Sequence, residues 1–88
     1  LMNNYPNPFN SVTTIAYSLP ERSNMVLDIY DTQGKLIKTL VSGLQSAGYY
    51  SVTWDGTNDA GQLVASGTFI YRMTAGDFHK FGRMTVLK

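Results

Sequence analysis

The chain has 88 residues, of which 43% are hydrophobic and 15% charged, and its formal net charge is +1. A length of this order supports one domain, with a core that removes only about 60–65% of the unfolded chain's surface from water, so a few large side chains must dominate it. The near-neutral balance argues against nonspecific nucleic-acid binding, no apolar run approaches the roughly 20 residues of a membrane span, and the absence of cysteine excludes disulfides and thiolate metal sites.

Lys35 and Lys38 form one loose pair of cations, and Lys80, Arg83 and Lys88 a second loose group. Scattered solubilising charge accounts for the first pair. The chain starts at Leu1 without a signal peptide, so it is expected to be a single domain, 1–88, cut from a longer protein.

Residues 1–12 hold two of the three prolines and four asparagines. Proline lacks an amide donor, fixes φ and pushes the preceding residue to extended geometry. Asn4–Asn10 is therefore expected to be an ordered, extended or turning segment, pinned to the domain by Tyr5 and Phe9. Thr13–Leu19 alternates Ile15, Tyr17 and Leu19 against Thr14, Ala16 and Ser18, the period of a half-buried strand, and Pro20 ends it. After a turn at Glu21–Asn24, Met25–Tyr30 reads as a second strand. Asp28 on one face turns Met25, Leu27 and Ile29 inward. Asp31-Thr32-Gln33-Gly34 is a tight turn in which Gly34 can take positive φ.

Lys35–Val41 fits two patterns. Leu36, Ile37, Leu40 and Val41 follow helical spacing as well as strand spacing, and the short run between glycines favours the strand. Ser42–Gly48 reads as a loop. Tyr49–Asp55 sets Tyr50, Val52 and Trp54 on one face and Ser51 and Thr53 on the other. Asp55–Gly67 is a long polar connection that holds a short extended stretch at Gln62–Ala65. Thr68–Ala75 alternates Phe69, Tyr71 and Met73 against Ile70, Arg72 and Thr74. Gly76-Asp77 turns the chain into a last strand, Phe78–Leu87, with Gly82 as a point of interruption. Turn signals about every 8–12 residues predict an all-β antiparallel β-sandwich of about seven strands. Its core is expected to centre on Trp54, with Tyr17, Leu27, Ile29, Val52, Phe69, Tyr71 and Met84 around it.

Few residues offer chemistry. His79 is the sole histidine, and no nucleophile is marked for it to activate. Asp55, Asn58 and Asp59 bring three oxygen ligands within five residues, the type calcium takes, but not at the alternating positions of an EF-hand loop. Turn chemistry, with Asx side chains bonding nearby backbone, accounts for them better. Tyr5, Phe9, Tyr49 and Tyr50 raise a carbohydrate platform as an alternative. Alternation puts Tyr50 inward, and the proline-flanked pair reads as a clamp. No cofactor is implied, and the residues favour a non-catalytic module over an enzyme.

Tyr5-Pro6-Asn7-Pro8-Phe9-Asn10, the strand with Ile15 and Tyr17, Ile29-Tyr30-Asp31 before Gly34, Gly48 before Trp54-Asp55-Gly56, and Ala65-Ser66-Gly67-Thr68-Phe69-Ile70-Tyr71 follow one another along the chain. In that order they resemble the type A C-terminal sorting domain of the type IX secretion system. The stretch from Trp54 to Tyr71 is also similar to the immunoglobulin-like domain of the flagellar hook-capping protein. The resemblance implies an immunoglobulin-like sandwich at the end of a larger exported protein. Its partners would be the type IX translocon, a sortase-like peptidase and an N-terminal cargo domain of the same chain. Its location would be the periplasm, then the cell surface or medium.

Residue by residue, the resemblance maps Gly67, Phe69 and Tyr71 onto the family's glycine-aromatic-tyrosine strand. Lys80 and the run Met84-Thr85-Val86-Leu87-Lys88 fall on its closing strand. It implies that Lys88 is the natural C-terminus. Ser11 and Phe81-Gly82 depart from the family pattern. The terminal strand Arg83–Lys88 is expected to be read by edge pairing, where main-chain hydrogen bonds supply affinity. The alternative is an immunoglobulin-like spacer, assembly module or carbohydrate-binding accessory domain.

Overall fold

Period-two alternation becomes strand throughout the computed structural model, which describes residue 1 and residues 3–87. Six strands form: β1 Thr13–Leu19, β2 Ser23–Asp31, β3 Leu36–Gln45, β4 Gly48–Trp54, β5 Gly67–Ala75 and β6 Phe78–Val86. All their pairings are antiparallel. β1 and β4 make a two-stranded sheet, and β3-β2-β5-β6, in that order, a four-stranded one.

The inward residues of both sheets meet in one cluster. Ile15, Tyr17, Leu19 and Trp54 come from the smaller sheet. Met25, Leu27, Ile29, Phe69, Tyr71, Met73, Met84 and Val86 come from the larger. Trp54 is fully buried, with Phe9 and Phe69 set edge-on against it at centroid distances of 5.7 and 5.4 Å. Its Nε1 donates to the carbonyl of Thr57 at 2.8 Å, which satisfies the one polar group the indole carries inward. Of the expected core residues only Val52 stays partly exposed.

The fold is the expected all-β sandwich, with six strands where about seven were anticipated. Gln62–Ala65 is the missing one. Its backbone is spent inside the loop, where Asn58 N–H donates to Gln62 O and Val64 N–H to Gly56 O, leaving only an isolated bridge between Thr57 and Leu63. Two further boundaries move. Ser42–Gln45 is strand rather than loop, because Gly43, Leu44 and Gln45 pair with Met25, Asn24 and Ser23. β6 also runs unbroken through Gly82, which pairs with Tyr71.

The ambiguity at Lys35–Val41 has a structural cause. The β2–β3 register slips between Leu27 and Asp28 and again between Ile29 and Tyr30. A bulge breaks the two-residue period locally, so the apolar residues of β3 fall at spacings that mimic a helix. The Asp31–Gly34 turn forms as expected. Asp31 Oδ1 accepts from the backbone N–H groups of Gln33 and Lys35, both at 2.9 Å, and Gly34 takes a φ of 83°.

Candidate recognition surface

Strands β5 and β6 carry most of the residues singled out for recognition, and the ladder sorts them by face. Gly67 pairs with Val86, Phe69 with Met84 and Tyr71 with Gly82. Phe69, Tyr71, Met84 and Val86 are buried. In the folded domain they hold β6 against the core and offer nothing to a partner. Gly67, Lys80 and Arg83 are exposed. Lys80 lies opposite Met73 and Arg83 opposite Ile70, so the two cations sit on opposite faces of the sheet. Lys88 lies outside the described residues.

The leading Asn-Pro segment locks the end of β6. Pro6 and Pro8 have no amide hydrogen to donate, and the segment is tied to β6 through Phe9 N–H. It bonds Thr85 O at 3.1 Å, and Leu87 N–H returns to Phe9 O at 2.8 Å. The Asn7 side chain adds two bonds, accepting from Thr85 N–H at 3.0 Å and donating to Arg83 O at 3.2 Å. The expected free edge at Arg83–Lys88 is therefore occupied from Arg83 to Leu87. The four-stranded sheet ends at β6, yet its last residues are covered by the chain's own N-terminal segment.

The same segment is fixed at its other end by buried polar contacts. Asn4 Nδ2 donates to Thr13 Oγ1 at 3.0 Å and to Pro6 O at 3.3 Å, and Asn4 N–H to Tyr71 Oη at 3.3 Å. Tyr5 exchanges two backbone bonds with Thr14, both at 2.9 Å, extending the small sheet. Only half of the expected aromatic clamp exists: Phe9 is buried, whereas the ring of Tyr5 is 80% exposed. Through Phe9 on Trp54, the proline-asparagine motif and the tryptophan-aspartate-glycine motif, remote in sequence, meet in the core.

The Asp55–Gly67 loop covers the start of the opposite edge, at Ile37 and Thr39 of β3. Asp59 N–H donates to Ile37 O at 3.0 Å, and Asp59 Oδ1 accepts from Thr39 N–H at 3.2 Å. Asp55 Oδ1 accepts from Thr57 Oγ1 at 2.6 Å and from its N–H at 3.2 Å, and the Thr57 hydroxyl bond holds the Asp55 carboxyl below its ordinary value. Asn58 Oδ1 accepts from the N–H groups of Ala60 and Gln62. Each member of the candidate calcium set thus spends side-chain oxygen on backbone within the loop or on β3. Among the described residues no cluster of three or more His, Asp or Glu side chains is placed to hold a metal.

The aromatic set does not form a platform. Phe9 is buried, and Tyr50 stacks on Tyr17 at 5.2 Å. Tyr5 and Tyr49 are exposed but pair with Thr14 and Ser18, four residues apart on β1 and across it from each other, which sets them about 13 Å apart along the strand alone. A different aromatic surface, which sequence reading missed, lies on the outer face of the larger sheet. Tyr30, Ile70, Arg72 and Phe81 line a shallow groove there, with the Arg72 guanidinium over the Tyr30 ring at 5.8 Å. Tyr30 Oη and Thr39 Oγ1 both donate to Asp28, at 3.1 and 2.8 Å. The signal was present in the alternation, since Tyr30, Ile70 and Phe81 all belong to the outward set. His79 is exposed on the same face, in register with Thr74.

A two-sheet antiparallel sandwich around a buried tryptophan, with parts of the larger sheet's edges covered by the N-terminal segment and a loop, defines an immunoglobulin-like module. The sequence profile of the FlgD Ig-like domain matches residues 7–77, and the chain belongs to that family. No curated protein matches the sequence. Among solved structures, the fold is similar to part of dimeric latent PorU from Porphyromonas gingivalis, at a TM-score of 0.75 and 20% identity over 97% of this chain and 9% of that one. It is similar to part of PorZ, an essential bacterial surface component of the type-IX secretion system of P. gingivalis, at 0.70 and 23% over 98% and 11%. FlgD from P. aeruginosa aligns at 0.64 and 25% over 84% and 57%. The chain therefore spans a small fraction of PorU and PorZ and little more than half of the FlgD chain.

Proposed function

We propose that this domain is a non-catalytic C-terminal sorting signal that directs a larger cargo through the type IX outer-membrane translocon to the cell surface or medium. The observation that carries the reading is the position of β6. The last strand forms the outer edge of the larger sheet, and its part before Arg83, which the N-terminal segment leaves uncovered, can be recognised without dismantling the core. The fold shared with portions of PorU and PorZ over nearly the whole chain supports it, as do the motifs that resemble the type A sorting domain. On this reading the partners are the translocon, a sortase-like peptidase and the cargo joined before Leu1. The domain would pass through the periplasm folded.

A periplasmic reporter fused to residues 1–88, expressed in a bacterium with a working type IX system, tests the reading. Surface display or release that disappears in a translocon-deficient strain is expected. Retention of the folded fusion in the periplasm would overturn it. Membership in the FlgD Ig-like domain family favours a second reading, a structural or assembly module, and that is the reading retention would support.

A further inference from the structure

The outer edge of β6 changes character at Arg83. Thr85 and Leu87 turn their main-chain groups away from β5, as their bonds to Phe9 demonstrate. Strand alternation then directs the N–H and C=O groups of His79 and Phe81 to the same outer edge. The cover from Asn7 and Phe9 reaches Arg83 O and no further, and no backbone bond from outside the strands reaches His79 or Phe81 among the described residues. An uncovered edge is a template for another strand. The open stretch runs from the Gly76-Asp77 turn to the point where Asn7 stops it.

Its flanks define what fits. Phe81 is 68% and Phe78 52% exposed, on opposite faces of the strand, so apolar contact is available on both sides. Lys80 and Arg83 are exposed on opposite faces as well, so a cation is available on each side of the strand. We infer that the Phe78–Gly82 edge of β6 accepts an extended segment of a partner protein that carries acidic side chains beside apolar ones. A second copy of this chain fits less well. Antiparallel self-pairing about the middle of the stretch sets Lys80 against Lys80, and like charges directly opposite are destabilising. The inference deepens the recognition reading above and rests on it for the source of the partner strand.

The test is an NMR titration of the isotope-labelled domain with a short synthetic peptide alternating valine and glutamate. A valine–lysine peptide is the control. Amide shifts and slowed hydrogen exchange centred on His79 and Phe81 are expected, with about tenfold weaker binding of the lysine peptide. Phe81→Pro removes an outward N–H without touching the ladder to β5, a substitution edge strands tolerate, and is expected to abolish binding. Phe81→Ala keeps that N–H and is expected to bind, more weakly. His79→Pro repeats the test at the other outward amide. Shifts centred elsewhere, no shifts, or unchanged binding by a folded Phe81→Pro variant would overturn the inference. Concentration-dependent shifts at these amides without peptide would overturn it in favour of a second copy. Peptide binding is read without secretion, so a reporter retained in the periplasm removes the sorting reading and leaves the edge site standing.

Discussion

The ring of Tyr71 lies across Gly82 on the neighbouring strand, where any side chain at position 82 would sit. A methyl group built on Gly82 would overlap Cζ and Oη of that ring. Tyr71 is fully buried, and its Oη accepts the Asn4 N–H, so the ring cannot swing away freely. Gly82→Ala is expected to cost about 1–3 kcal/mol through overpacking. In a domain of this size that lowers the melting temperature by about 4–8 °C per kcal/mol. An unchanged midpoint in thermal denaturation would contradict the packing described.

Trp54 joins both sheets and the N-terminal segment through Phe69 and Phe9. Trp54→Ala is expected to cost about 3–5 kcal/mol, a large part of the roughly 5–15 kcal/mol typical of a folded domain. Chemical denaturation measures it. A midpoint within error of the parent would remove Trp54 from the centre of the core.

Asn7 supplies two of the four hydrogen bonds that cover the end of β6. Both are solvent-exposed, so Asn7→Ala is expected to lose about 1–2 kcal/mol. The informative readout is local. Hydrogen exchange at the Thr85 amide is expected to accelerate, while exchange at amides in β2 follows only the global loss. Equal acceleration at both sites would show that Asn7 acts on the whole fold rather than as an edge cover.

Burial raises the phenol groups of Tyr17, Tyr30 and Tyr71 above their ordinary value. The Gln45 bond opposes this at Tyr17 and the Asn4 N–H at Tyr71, while the Asp28 carboxylate reinforces it at Tyr30. The fold thus prefers the protonated phenol. Its contribution is complete below the unfolded value of about 10 and is lost as pH rises through the raised folded values. Stability is expected to decline above about pH 10, less steeply in Tyr71→Phe. Identical alkaline limbs in the two proteins would contradict the assignment.

The opposite sign holds at Asp55, lowered chiefly by the Thr57 hydroxyl bond. Its contribution is present above the unfolded value of about 4 and is lost as pH falls through the depressed folded value. Asp55→Asn is expected to flatten the acid limb of the stability curve. Because the carboxylate is exposed the effect is small, and salt reduces its coulombic part. An acid limb as steep as the parent's would remove Asp55 as a contributor.

The alternation of Ile15, Tyr17 and Leu19, of Met25, Leu27 and Ile29, and of Phe69, Tyr71 and Met73 was enough to locate strands and their buried faces. A side chain's face in a strand depends only on its neighbours' spacing, and these runs carry that spacing without interruption. Trp54 was legible as the core for the same reason. Where bulges shift the register, at β3, the local period fails and the pattern mimics a helix. What no local pattern contained was the neighbour across space. That Phe9 enters the core while Tyr5 stays in water, that Gly82 is a ring contact rather than a break, and that the last strand's edge is covered beyond Arg83 all follow from contacts between distant residues. Asn7 and Thr85 stand 78 positions apart. Sequence spacing determines which face of a strand is apolar. Only the closed sandwich decides which main-chain groups along its edges remain unpaired, because their partners come from whichever segment the packed core leaves beside them.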